Sequence, residues 1–500
     1  MTVTVETPSG KLAGNEIDGV RSFLGIPFAK PPVGALRYAA PEPIEPWAGE
    51  RSAVAFGGSA LQAAMVIPLP GMEVGRQDED CLYLNVFAPA GGAAKKPVLV
   101  WIHGGGFVIG SGSQEIYGGA RLAKRGDVVV VTINYRLGAL GFLHVDDVCP
   151  MPGAVSNPGM RDQIAALDWV RSHIGTFGGD PGNVTIFGES AGGMSVGTLL
   201  GMPKANGLYA RAIPQSGAAH HVHTREAASK VTEAFLGVLG IDRRDAPRAL
   251  REMPAQKLAD AQMPLQMQLA GSLGLLPFQP VVDGDSLPGQ PLQAVRDGAC
   301  KGVSLLVGST RDEWKLFVLM DPSVQGLDEA KLRERLGREV PEVDSDVLYA
   351  TYRDARKARG DGVAPLDLLA AIQTDRTFRI PGIRLAEAQA KHAPQSTFMY
   401  RFDWESPMLG GMLGACHAVE IPFVFGTADL PNGEQFSGKG PEVDALIAAT
   451  MDTWLRFART GDAGFPVYDA AKRTTRIFGR EIRSEDDPQS AERQVWEGRF

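Results

Sequence analysis

With 500 residues, 44% of them hydrophobic, and with 60 glycines and 35 prolines, the chain has the composition of a large globular protein rich in loops, which excludes general disorder and a fibrous structure. Its formal charge of -8, from 50 basic and 58 acidic residues, carries no long single-sign block, so neither a nucleic acid nor an anionic membrane surface is expected as a partner. No apolar run is long enough to span a bilayer.

In chain order, Met1 to Gly14 (MTVTVETPSGKLAG) alternates like a strand followed by a turn, without the basic start and apolar middle of a signal peptide. The clearest strands are Pro97 to His103 (PVLVWIH), Asp127 to Asn134 (DVVVVTIN) and Asn183 to Gly188 (NVTIFG). Between the last two, Arg161 to Gly175 sets Ile164, Leu167, Trp169 and Ile174 on one helix face and stops at a glycine. This β-α-β unit predicts an α/β protein, a mostly parallel sheet flanked by helices. Residues 224–279 read as short helices broken by Pro247, Pro254, Pro264 and Pro277, and residues 323–390 as largely helical. Both are expected to be cap-like insertions over the sheet. Gly302 to Gly308 and Thr397 to Phe402 read as further core strands, and Ala445 to Thr460 as a closing helix. Without repeats or low-complexity linkers, residues 1–500 are expected to form one domain.

The chemistry concentrates in two motifs. Gly188-Glu189-Ser190-Ala191-Gly192 fits G-x-S-x-G between a strand of branched residues and a small-residue helix, the context that presents a nucleophilic serine on a strained turn. His103-Gly104-Gly105-Gly106-Phe107 follows a strand directly, and a loop so rich in glycine can aim backbone N–H groups, with that of Ala191, at a developing oxyanion. It has neither the G-x-G-x-x-G spacing nor the lysine of a phosphate loop. The usual order of Ser, acid, His leaves His392 or His417 as the base. His392 ends a helical pattern, whereas His417 lies in a glycine-rich loop after a core strand, so His417 is favoured. Asp312 and Glu313 in STRDEW are equally placed for the acid.

Over nearly its whole length the sequence resembles the type-B carboxylesterases, the α/β-hydrolase family that includes cholinesterases and bacterial p-nitrobenzyl esterases. The segments that carry this are FLGIPFAKPPVGALR (Phe23 to Arg37), EDCLYLNVF (Glu79 to Phe87), WIHGGGF, NYRLGALGFL (Asn134 to Leu143), FGGDPGNVTIFGESAGG (Phe177 to Gly193) and CHAVEIPFVFG (Cys416 to Gly426). The resemblance implies Ser190 as nucleophile, Glu313 as acid and His417 as base, with Gly105, Gly106 and Ala191 as the oxyanion hole. It further implies that Glu189 tunes the site's electrostatics, that Ser216 hydrogen-bonds behind the triad, and that Arg37 with Glu79 and Arg136 with Asp162 form structural ion pairs. Trp314 stands where a glycine commonly follows the acid, and that bulk could crowd the loop.

The implied activity is ester hydrolysis through an acyl-enzyme without a cofactor. Amide, thioester or toxin-ester cleavage would use the same chemistry, and a non-catalytic adhesion or scaffold role is disfavoured because Ser190, Glu313 and His417 are all present. Cys81, Cys149, Cys300 and Cys416 are too sparse for a disulfide framework or a metal knuckle, and Ala39 to Asp80 lacks the cysteine with which secreted members pair the counterpart of Cys81. Free thiols and a cytoplasmic protein are expected. MVIPLPGMEVG (Met65 to Gly75) lacks the tryptophan with which cholinesterases hold a quaternary ammonium, so short to medium apolar esters are expected over choline esters. His220, His221 and His223 lack an acidic or cysteine partner at metal spacing and read as loop residues near the pocket. Met263, Met267, Met408 and Met412 fit an adaptable binding surface or core gap-filling equally well.

Overall fold

Alternation along the strands decides how the sheet is covered. In Lys96–Ile102, Val98, Val100 and Ile102 join one buried cluster and Leu99 and Trp101 another, on the opposite face. Leu305 and Val307 are divided from Leu306 in the same way, and Met399 from Phe398 and Tyr400. A slip of one residue would exchange the two sets, and each such side chain contributes about 1.5–3 kcal/mol by burial, so register is fixed from both faces.

The computed structural model describes residues 1–63, 71–91, 95–269 and 276–499. Its strands are β1 (Thr2–Thr7), β2 (Gly10–Ile17), β3 (Val20–Pro27), β4 (Glu50–Ser52), β5 (Tyr83–Pro89), β6 (Lys96–Ile102), β7 (Val129–Ile133) and β8 (Gly179–Glu189), followed by β9 (Arg211–Gln215), β10 (His223–Thr224), β11 (Val281–Val282), β12 (Ser304–Thr310), β13 (Thr397–Phe402), β14 (Thr474–Phe478) and β15 (Arg483–Asp486). The large sheet runs β1-β2-β3-β5-β7-β6-β8-β9-β12-β13-β14-β15, with β4 beside β2, while β10 and β11 pair separately. From β7 to β14 every neighbour is parallel, and the pairings outside that run are antiparallel except that of β4 with β2, which is parallel. This is the mostly parallel sheet that the sequence predicts. Helix Pro158–His173 covers one face and Pro441–Thr460 the other, through Met160, Leu167 and Val170 and through Leu446, Trp454 and Phe457 respectively.

Several boundaries differ from expectation for local reasons. Helix Pro158–His173 starts earlier because Pro158 suits a first turn, and a 3-10 turn carries the chain past Gly175 to Gly178, whose φ of 88° makes the stop. Residues 224–269 hold a full-length helix, Arg225–Leu239, before the shorter Ala246–Glu252, Ala255–Asp260 and Gln262–Leu269. Pro247 lies in a first turn and Pro254 caps one, so neither interrupts a helix. Within residues 323–390, a π-helical turn, Asp375–Arg379, joins Pro365–Thr374 to Ile380–Ala390. The absent tryptophan belongs to a stretch whose residues 65–70 lie outside the described residues.

The implied ion pairs are both present. Arg136 and Asp162 are bidentate at 2.7 and 2.8 Å with almost no exposure. Arg37 grips Glu79 at 2.5 and 2.7 Å and donates from Nη1 to the carbonyls of Leu250, Arg251 and Met253, fastening the end of Ala246–Glu252 to the N-terminal region. All four cysteines are buried free thiols, and burial pushes the Cys81 thiol far up, leaving it unreactive. Met263, Met267 and Met412 are exposed, whereas Met408 packs against the core. No helix among the described residues is long and apolar enough to cross a membrane.

Candidate active site

Strand β8 ends in a forced turn. Ser190 has φ 57° and ψ -126°, a conformation that costs a non-glycine residue about 1–3 kcal/mol. Its flanking glycines are dictated by β6: a Cβ on Gly188 would lie 2.5 Å from the Ile102 carbonyl oxygen, and one on Gly192 only 2.0 Å. The Ser190 N–H donates to the Gln215 carbonyl at 3.0 Å, pinning the turn to the end of β9. Ala191 opens helix Ala191–Leu199, so its N–H has no acceptor within the helix.

The glycine loop after β6 lies against this turn. A Cβ on Gly104 would come within 3.0 Å of Ser190 Cβ and 2.6 Å of the Glu189 carbonyl, and Gly105 takes φ 107° with its position closed by the Ile109 carbonyl. His103 is spent on structure: it stacks on Tyr135 with centroids 4.5 Å apart, Nδ1 sits 2.8 Å from the Gly104 carbonyl, and burial pulls its pKa down to about 4.

His417 reaches the site from the loop beyond β13. Its Nδ1 lies 2.5 Å from Glu313 Oε2, and Glu313 Oε1 accepts the Thr310 N–H at 2.8 Å, with the carboxylate wholly buried. Asp312 turns away. It accepts from Arg311 at 2.9 Å and from the Ala415 N–H at 3.1 Å, and although burial would raise its pKa, Arg311 and Lys315 hold it below the ordinary value. It is the loop-bonding member of the acidic pair. Trp314 does not crowd the loop; its ring packs on Phe317 at 4.8 Å, and its backbone N–H donates to Thr374 Oγ1.

The other face of His417 meets Glu189. Nε2 is 3.2 Å from Glu189 Oε1 without an aligned hydrogen bond, and neither atom has a partner among the described residues. Burial pushes Glu189 well above the usual carboxylate range. Burial pulls the imidazole pKa down, but Glu189 and Glu313 outweigh it and raise the net value. A histidine between two carboxylates can accept, hold and return a proton, and the serine turn beside it can present a hydroxyl.

Residues 1–496 match the family model described as "Carboxylesterase family". The chain is 41% identical over 497 residues to the para-nitrobenzyl esterase of Bacillus subtilis (strain 168), covering 98% of this chain and 97% of that protein. It is 36% identical to the phenmedipham hydrolase of Pseudarthrobacter oxydans, covering 93% and 90%. This chain belongs to the carboxylesterase family. Among solved structures similar to this carboxylesterase are a thermophilic PNB esterase (TM-score 0.88, 39% identity, 98% and 99% covered) and the Geobacillus stearothermophilus carboxylesterase EST55 at pH 6.2 (TM-score 0.87, 41% identity, 99% and 100% covered). Its fold is the α/β-hydrolase fold of these enzymes.

Ser216 is buried in a left-handed conformation, φ 46°, and its N–H donates to the Gly308 carbonyl, while its Oγ has no hydrogen-bond partner among the described residues. His223 sits apart from its neighbours, its Nε2 3.1 Å from the Pro277 carbonyl. His220 and His221 pack ring against ring at 3.9 Å, and burial lowers both pKa values, that of His221 to about 3, so the pair is neutral. Among the described residues no group of three or more His, Cys, Asp or Glu is placed to hold a metal.

The esterase also contains a buried acid that none of the motifs singles out. Glu420, three positions after His417, is fully buried, accepts from Gln215 and Tyr400 at 3.1 Å each, and is pushed up by burial to about 8. Gln215 Oε1 in turn accepts from Trp454 Nε1 at 3.0 Å. The signal for Glu420 was its place in CHAVEIPF, an acid inside an apolar run.

Proposed function

We propose that Ser190 is the nucleophile of this carboxylesterase, with His417 as general base and acid and Glu313 as the carboxylate that orients it. The observation that carries the reading is the contact of Glu313 Oε2 with His417 Nδ1 beside the strained turn of Ser190. Ser190 Oγ attacks the ester carbonyl while Nε2 of His417 takes its proton, and the backbone N–H groups of Gly105, Gly106 and Ala191 receive the oxyanion. The proton then passes to the departing alcohol, and water resolves the acyl-enzyme by the same route. Every proton is accounted for within these side chains, so the reaction needs no cofactor. Glu189 tunes the base electrostatically.

The substrates are short to medium, largely apolar esters with aryl or alkyl leaving groups. The para-nitrobenzyl esterase relative and the exposed Met263, Met267 and Met412 support this scope. The chain is one domain in which the described parts of segments 224–279 and 323–390 cap the sheet, and its four free thiols favour the cytoplasm. Purified Ser190→Ala should fold as the parent does and give no burst of p-nitrophenol from p-nitrophenyl acetate, with or without chelator. Full turnover by that variant would refute the nucleophile assignment.

A further inference from the structure

Among the described residues the imidazole of His417 is held by one aligned hydrogen bond, at Nδ1, and a ring anchored at one atom can still pivot about its side-chain torsions. Two aromatic side chains close off that freedom. Phe317 lies 5.1 Å from the imidazole centroid at 47°, and Phe378 lies 4.9 Å away at 37°. The two phenyl rings stack on each other at 13°. Phe378 is almost fully buried and Phe317 partly exposed.

The backbone that delivers Phe378 is unusual. It belongs to the π-helical turn Asp375–Arg379, and such turns are uncommon inside helices and concentrate at functional sites. The extra residue resets the helical phase by roughly 100°. Pro365–Thr374 can thereby bury Leu368, Leu369 and Ile372 while Ile380–Ala390 buries Ile383 and Leu385 on its own face. The turn is clamped from several sides. Asp375 and Arg379 form a buried bidentate pair at 2.6 and 2.7 Å, Arg379 Nη1 donates to the Pro488 carbonyl, and Tyr352 donates to Asp375 at 2.5 Å while accepting from Trp496 Nε1 at 2.7 Å. Just before it, Thr374 Oγ1 accepts the N–H of Trp314, the residue after Glu313. One short segment thus touches both the acid loop and the imidazole.

We propose that Phe378, presented by this π turn, is a positioning residue for His417: with Phe317 it confines the imidazole so that Nε2 keeps the orientation that proton transfer with Ser190 requires. The proposal rests on the triad reading above. It also gives Trp314 a role, since its ring packs on Phe317 at 4.8 Å and lies 6.3 Å from Phe378, support that a glycine at that position could not give.

The test compares wild type, Phe378→Leu, Phe317→Leu and His417→Gln by steady-state kinetics on p-nitrophenyl acetate and by the low-field proton resonance of the short Nδ1 hydrogen bond. Either leucine variant should lower kcat about tenfold with KM within about twofold, the pattern of a misaligned catalytic group, and should broaden the low-field signal while thermal unfolding stays cooperative. Phe317 is partly exposed, so Phe317→Leu supplies the comparison if Phe378→Leu fails to fold. Unchanged kcat and a sharp resonance in the folded variants would overturn the positioning role and leave the triad reading intact. A wild-type spectrum lacking the resonance, or one in which it survives His417→Gln, would overturn the Glu313–His417 assignment itself.

Discussion

Glu313 and Asp312 are neighbours in sequence with opposite surroundings, and exchanging each for its amide separates their roles. In Glu313→Gln the amide keeps the side chain's size, and its oxygen can still accept from the Thr310 N–H, so the fold is expected to survive. What disappears is the charge 2.5 Å from His417 Nδ1, in a place with no exposure to solvent. The imidazole then loses both its tautomer selection and the stabilisation of its protonated form. On the precedent of triads whose orienting carboxylate becomes an amide, kcat should fall by about 10³ to 10⁴, equivalent to about 4–5.5 kcal/mol of barrier. Asp312→Asn leaves that contact alone and weakens the bonds to Arg311 and to the Ala415 N–H, two residues before His417. Its cost belongs to stability, about 1–3 kcal/mol for impaired buried polar bonds, with kcat lowered less than about tenfold. Initial rates on p-nitrophenyl acetate and urea midpoints measure both quantities on the same preparations. If Asp312→Asn abolished turnover while Glu313→Gln only lowered the midpoint, the assignment of the acid would be wrong.

Glu189→Gln removes one of the two carboxylates that raise the His417 pKa, so the imidazole should become neutral at lower pH and the acid limb of the kcat/KM profile should move down the pH scale; a limb that stays or moves up refutes the electrostatic role. Asp162→Asn strands the buried Arg136 guanidinium and should cost about 3–5 kcal/mol in denaturant unfolding with kcat little changed in the folded fraction, and a loss under about 1 kcal/mol would contradict the geometry.

The parallel core was legible because VLVWI, VVVVTI and VTIF are short branched runs that a two-sided burial demands, and the serine turn because its glycines answer to a steric requirement imposed by β6. The same holds for the glycine loop. Burial of polar groups was less legible: CHAVEIPF hints that Glu420 lies inside, but its partners on β9 and β13 are remote in sequence, and nothing marks Asp375, whose partners are Arg379 in its own turn and the distant Tyr352. The π turn escaped prediction because its one-residue phase shift leaves the apolar pattern of each flanking helix intact. Asp312 and Glu313 stayed tied on position alone because the sequence places both after β12 and only the loop's curvature sends one toward His417.

The strand order carries a consequence for how the enzyme comes into being. The glycine loop follows β6, the serine β8 and the glutamate β12, while the histidine lies beyond β13. These strands are close together in space, yet the chain from the first to the last of these groups spans most of its middle. During synthesis the segment that carries the serine turn emerges well before His417, the base proposed for it. On the proposed triad, the growing chain stays silent until β13 has paired with β12 and the loop beyond it has placed the imidazole, with β14 and β15 still to join the sheet.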